Sequence, residues 1–473
     1  MKRTISLLLA FMTIFVSCDK DEPSGGGTDN PGSGITDNPG NGTTDNPADD
    51  GKDEPDEEPE PINAVDGTIE DGKVLAAGIY FNMTSNAPDA TLEVIGVNSQ
   101  SYTRVVIPEA VRVNGIIHPV SSIGEGAFEG YHLLTGFELP NSVTNIGARA
   151  FTGCTGLAFV IIGNSITNIG DYAFGGCTNM TYAIVGNSVT NIGIMAFAGC
   201  SSLTSIELPN SLTNIGERAF GGCSNLIDIT IPNSVRNIGV YAFATCISLT
   251  SIEIPNSITV LSEGVFGGCS GLSRVIIPNT VTVIEGGAFG SCTSLTSIEL
   301  PNALTTLGGG RTVGPFADCT NLRTIVIPNT VTTLGAGTFQ NCTNLRSVEL
   351  PNSLSSIDYG LFYYCTSLTD ITIPNSVISI DGRAFEGCSG LAEITIPASV
   401  MTVGDYAFRD CPNLKKVDVP WNSPITINSN TFAIGYSSNS SHPGTLYVPA
   451  GTRALYAATN SNWRRFTNIV EKN

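Results

Sequence analysis

Twelve cysteines recur on a fixed ruler. Cys154, Cys177, Cys200, Cys223, Cys246, Cys269 and Cys292 stand 23 residues apart. After one step of 27, Cys319, Cys342, Cys365, Cys388 and Cys411 resume the interval of 23. A phenylalanine precedes each by three residues, from Phe151 to Phe408. An earlier copy has Phe128 with Tyr131 in the cysteine slot, making thirteen copies. Such a period means a solenoid, in which each coil buries its apolar face only against its neighbours. The length of 473 residues alone suggests several domains, but the repeat overrides that expectation.

One coil, Cys200 to Phe220, reads CSSLTSIELPNSLTNIGERAF. Alternation through Ser205–Leu208 is strand periodicity. Pro209 lacks an amide donor and ends the strand, and Asn210 follows at a turn. Leu212 and Ile215 return to the interior, Gly216 permits a bend, and Ala219 and Phe220 close the coil. A coil of 23 residues is too short for a full α-helix beside a strand. The expectation is therefore β-rich coils with one parallel sheet along a face.

The pattern C-x-x-L-x-x-I-x-[IL]-P-N-S-[VLI]-x-x-I-G-x-x-A-F-x-G resembles the BspA-like bacterial leucine-rich repeats, which include the Treponema pallidum type. The match covers about residues 105–420. The resemblance implies a leucine-rich repeat right-handed superhelix of thirteen coils with caps at both ends. The segment from Gly78 to Val120 resembles the family's N-terminal β cap, and Leu446–Glu471 its C-terminal cap. Terminal coils need caps because they otherwise expose apolar faces and unpaired strand edges. The expected order is a signal peptide over 1–17, an acidic stalk over 18–61, an N-terminal β cap over 62–120, the solenoid over 121–420 and a C-terminal cap over 421–473.

The formal net charge is −20. Fourteen Asp or Glu against Lys20 and Lys52 put −12 of it in Asp19–Pro61. No basic stripe exists, which excludes nucleic acid as an expected partner. Lys2 and Arg3 followed by the apolar Ile5–Val16 read as a secretory signal, too short for a membrane span. Phe15-Val16-Ser17-Cys18 resembles a bacterial lipoprotein box, which implies lipidation of Cys18. Asp19, Asp21 and Glu22 resemble the surface-export signal of Bacteroidetes lipoproteins. This implies an outer-membrane protein facing the cell exterior and touching the membrane through its lipid alone. The bland alternative is simple secretion, with Cys18 removed. Gly, Pro and like charges over Asp19–Pro61 cannot build a core and read as a flexible stalk. Its aspartates lack EF-hand spacing, so calcium is not expected.

In an exported chain, cysteines invite a disulfide reading. The period argues for a structural ladder instead. Equivalent residues on stacked coils lie about 5 Å apart with parallel side chains, whereas a disulfide needs converging Cβ vectors. A straight file also offers no tetrahedral zinc site. A second column, Asn141 to Asn375 ending at Ala398, reads as buried amides satisfying turn backbone. His118 and His132 read as parts of the first coils and His442 as a surface residue. None lies in a catalytic motif, and no P-loop or GxSxG is present. No cofactor or metal is expected. Polysaccharide lyases and hydrolases of the parallel β-helix type use coils of this length, but their sites cluster Asp, Arg or Lys where this chain departs from its repeat with apolar residues or Gly.

The outward sheet positions form two columns. Glu207, Glu253, Glu299 and Glu349 fall on alternate coils, which keeps like charges about 10 Å apart. Phe159, Ile161, Tyr182 and Ile184 break the polar rule and are expected to form one apolar, aromatic patch. In the same coils Gly163 and Gly186 replace the strand-ending proline. The alternatives for the patch are contact with a ligand or partner, cover by the cap or a neighbouring chain, or neutral drift. One step is four residues longer than the others, and the segment Gly308 to Pro315 that contains the insertion is expected to bulge at the edge, with neutral drift the default and a contact through Arg311 the alternative. The whole reads as a non-enzymatic display protein for adhesion to host or microbial proteins or matrix. The runner-up is a glycan-binding accessory of a polysaccharide-uptake system, and the third reading is a structural surface protein. Trp421 and Trp463 lie near or in the C-terminal cap, which weighs against a dedicated glycan platform.

Overall fold

Two residue columns fix the interior. The phenylalanines stack ring on ring from Phe128 to Phe432, with centroids 4.9–6.0 Å apart and planes within 18°. Those separations lie in the favourable range for offset aromatic pairs. The twelve cysteines of the ruler are buried and carry free thiols. Each thiol donates to the carbonyl of the phenylalanine one coil earlier, as from Cys200 to Phe174 at 3.2 Å and from Cys342 to Phe316 at 3.1 Å. A cysteine therefore fits here both as a small apolar body and as a weak donor.

The computed structural model describes residues 63–87, 89–309, 313–435 and 441–472. All lie in the unit Pro61–Asn473. The chain is a β-solenoid of about 15 turns, two more than the cysteine ruler counts. The extra turns come from the ends. Arg104–Val106 pairs in parallel with Gly136–Glu138, and His442–Val448 pairs with Lys416–Asp418 and then with Phe466–Glu471.

Two parallel ladders run along the coils, where the sequence suggested one. The first uses three-residue strands such as Phe159–Ile161, Tyr182–Ile184 and Ser205–Glu207. The second uses two-residue strands such as Asn168–Ile169 and Asn191–Ile192. Two residues are too few to show a period of two, so this ladder leaves no alternation signal. An amide chain reinforces it. Asn168, Asn191, Asn214 and Asn237 each donate Nδ2 to Oδ1 of the asparagine one coil back, at 2.7–3.0 Å. The other asparagine column is exposed, not buried. Its side chains still link coils, as Asn164 Oδ1 accepts from the Asn187 amide at 2.9 Å.

The N-terminal end closes the second ladder, while the first begins at Arg104–Val106. An antiparallel meander, Thr68–Glu70, Lys73–Ala76, Ile79–Met83 and Leu92–Val97, leads into Ile116–Ile123. Ile116–Ile123 pairs with Asn145–Ile146 and starts the second ladder. Tyr131, in the cysteine slot, is buried and its hydroxyl donates to the Ser99 carbonyl at 3.1 Å. These contacts cover an edge that would otherwise template association. At the other end His442, Trp463 and Phe466 pack around Phe432.

Candidate functional site

The first ladder sorts side chains by parity. Val160, Ala183 and Ile206 point inward and are buried. Their flanking residues point outward. Phe159 lies beside Tyr182, and Ile161 beside Ile184, in direct register. Phe159 and Ile161 are each 53% exposed, and Tyr182 and Ile184 are half-buried. No described residue of the cap covers the two exposed ones. Gly136, outward on the preceding coil, presents no side chain to Phe159.

Charge frames the patch on both sides. Arg104 forms an ion pair with Glu138 across the first two strands of the ladder. Tyr182 donates its hydroxyl to Glu207 one strand on. Burial, then the hydrogen bond and charge of Glu207, push the Tyr182 phenol up to about 12, so it remains a donor at neutral pH. The arrangement is an aromatic and aliphatic centre with a polar rim, which is the anatomy of a protein-binding surface.

The turn beneath the patch explains one of its two glycines. A Cβ on Gly186 would stand 2.2 Å from the Gly163 carbonyl oxygen, so the backbones touch where other coils place proline. Farther along, the first ladder lapses in the coil of Asp228–Thr230, and a groove of about 340 Å³ opens between Asp228, Glu253 and Arg274. Glu207, Glu253, Glu299 and Glu349 are all exposed on this face.

The sequence pattern of the BspA type leucine-rich repeat region matches over residues 121–246, 190–310 and 314–438. The chain belongs to this family. No curated protein matches it. A leucine-rich repeat protein from Bacteroides ovatus is 30% identical, with a TM-score of 0.52 over 73% of this chain and 94% of that one. The leucine-rich repeat protein of T. pallidum is 26% identical over 46% of this chain and 88% of that one, with a TM-score of 0.34.

Chemistry-bearing groups elsewhere in this BspA-type solenoid are absorbed by packing. His118 is buried, with Nδ1 2.8 Å from the Ala90 carbonyl, and His132 is exposed with Nδ1 3.2 Å from Thr155 Oγ1. His442 is not a surface residue. It is fully buried, its Nδ1 accepts from the Gly444 amide, and burial lowers its pKa to about 4. The three imidazoles lie on separate elements. Trp463 is buried and donates to the Ile425 carbonyl at 2.8 Å, and Trp421 donates to Val400 at 3.1 Å, so both tie down the C-terminal end. Among the described residues no group of His, Cys, Asp and Glu could hold a metal ion, and no helix is long and apolar enough to cross a membrane. Cys18 and Arg311 lie outside the described residues. The insertion enters after the second-ladder strand Thr306–Leu307 and rejoins the repeat at Phe316, which stacks on Phe289 and Phe339.

Proposed function

We propose that the chain is a non-enzymatic cell-surface lipoprotein that binds a host or microbial surface protein or matrix ligand through its sheet face. The observation that carries this reading is the exposure of Phe159 and Ile161 beside Tyr182 and Ile184. A BspA-type solenoid supplies a preformed surface, so binding costs little ordering. The lipoprotein box ending at Cys18 and the acidic segment after it support anchoring to the outer membrane through lipid, with the solenoid facing outward. The buried, hydrogen-bonded state of Trp463 speaks against a tryptophan platform for glycans at that end.

The test has two arms. The full chain and its Phe159→Ser/Tyr182→Ser variant are screened against arrayed extracellular and bacterial surface proteins. A hit weakened at least about tenfold in the variant supports the reading, whereas unchanged binding to every hit overturns the site. In the producing bacterium, fatty-acid labelling is expected in the native chain and absent in Cys18→Ala. Labelling retained in that variant overturns the anchor.

A further inference from the structure

Five residues before every ruler cysteine except Cys319 the coil turns through the left-handed region. Most coils place a large side chain there. Arg149 stacks over Tyr172 at 5.8 Å, Arg218 over Tyr241 at 5.0 Å and Arg383 over Tyr406 at 5.4 Å, all six with positive φ. Between them the column changes to Gly264, Gly287, Gly337 and Gly360, also with positive φ. Gly264 is covered, since a Cβ there would meet the Tyr241 ring at 2.0 Å, and a Cβ on Gly287 would come to 3.8 Å from Val313. At Gly360 a Cβ would meet only Tyr363 Cβ, at 3.7 Å.

A trough of about 580 Å³ lies over Gly337 and Gly360. That is within the roughly 300–1,000 Å³ of small-ligand sites. Val313 and Ala336 stand at one end, Arg383 at the other, with Tyr359, Tyr363 and Gln340 between. Tyr359 is 53% exposed. The insertion is seated by Gly314, whose Cβ would stand 2.2 Å from the Gly337 carbonyl oxygen. Val313 and Gly314, at the end of the lengthened step in the ruler, therefore stand in one wall of the trough.

The polar groups select the ligand class. Arg383 stands beside Tyr363 in the trough lining and 3.5 Å from Glu386. Glu386 is buried and also 3.5 Å from Arg409, which pairs with Asp410 at 3.3 Å. Among the described residues two guanidiniums face two carboxylates, so Arg383 offers directional N–H donors whose charge is balanced by its described neighbours. An anion gains nothing there over a neutral hydroxylated partner. An extended peptide finds no free ladder donors, because the Gly337 and Gly360 amides already donate to Tyr359 and Gly382 at 3.0 Å. A pyranose meets both demands. Its C–H face lies on an aromatic ring, and its hydroxyls reach a planar amide and a guanidinium.

We infer that this trough is a binding site for a neutral oligosaccharide, seated on Tyr359 and held at its hydroxyls by Gln340 and Arg383. It is separate from the Phe159 patch and stands or falls independently of it. Calorimetric titration of the full chain with neutral gluco-, manno-, galacto- and xylo-oligosaccharides up to millimolar concentration tests it. Binding of one series is expected. Tyr359→Ala should weaken it roughly tenfold, and Gly360→Arg should abolish it. That arginine enters a column where Arg149 and Arg218 adopt the same backbone, so the variant should still fold, melting slightly below the native chain because a side chain at this positive φ is strained. Phe159→Ser should leave saccharide binding unchanged. Silence across the neutral panel, binding of charged saccharides or proline-rich peptides alone, or unchanged affinity in both trough variants overturns the proposal.

Discussion

Tyr182 donates its hydroxyl to Glu207, its diagonal neighbour on the adjacent strand of the exposed sheet. This contact holds the ring across the patch instead of letting it swing into solvent. Tyr182→Phe keeps the apolar area and loses the tether, so it should weaken a protein ligand less than Tyr182→Ser does. Glu207→Gln removes the charge that helps lift the phenol, and an ultraviolet phenolate titration should show Tyr182 ionising at lower pH than in the native chain. An unchanged titration curve would show that burial alone raises it.

The thiol column makes the fold sensitive to alkali. Burial pushes Cys154, Cys200 and Cys319 up to about 12 and lifts Cys177, Cys223, Cys342, Cys365 and Cys388 well above the ordinary thiol value of 9.0. In the window between the unfolded and folded pKa the unfolded chain releases protons that the folded chain keeps. Stability is therefore fully present below about pH 9 and falls as pH rises, by about 1.4 kcal/mol per unit for each such thiol. Melting temperature should drop steeply as pH rises above about 9 toward the folded value of about 12. At pH 8 an aromatic disulfide reagent should find none of the twelve ladder thiols reactive until denaturant is added. Rapid modification of the native chain would contradict the buried ladder.

The phenylalanine stack couples neighbouring coils. Phe243 lies 5.3 Å from Phe220 and 5.5 Å from Phe266. Phe243→Ala should cost about 3–5 kcal/mol through lost burial and the cavity left behind. In a solenoid, stability is carried by nearest-neighbour interfaces, so weakening one should also uncouple the two sides. Calorimetry is expected to resolve two transitions where the native chain shows fewer. A single transition with a loss under about 1 kcal/mol would mean that the cysteine column and ladders carry the coupling without the ring.

What could be read from the residues followed their spacing. Phe and Cys at a fixed interval announced the coil and its interior, and alternation at Phe159–Ile161 announced which side chains face out. The ends were harder because substitutions hide the period. Tyr131 and His442 stand near or in the slots where the cysteine column runs out, and Phe432 follows Phe408 by 24 residues. The Asn168 amide chain was visible as a recurring Asn-Ile-Gly, yet a two-residue strand gives periodicity nothing to count. The Tyr359 trough depends on side chains that Gly337 and Gly360 do not have. Its signal is the switch of one column from Arg and Tyr to Gly beside the only insertion in the ruler.

Gly163 and Gly186 occupy the same place in consecutive coils but carry different constraints. A Cβ on Gly186 meets backbone at 2.2 Å, whereas a Cβ on Gly163 finds nothing within 4 Å. Backbone cannot rotate away as a side-chain end can, so Gly186→Ala should force the coils apart and cost about 1–3 kcal/mol. Gly163→Ala at an open site should be neutral or stabilising by about 0.4–1 kcal/mol, through reduced freedom of the unfolded chain. Urea denaturation of the two single variants separates these outcomes. Because the contact lies two residues after Ile161 and Ile184, Gly186→Ala should also disturb ligand binding at the patch while Gly163→Ala spares it. Equal stability of the two variants would show that the close approach is not what keeps glycine at Gly186.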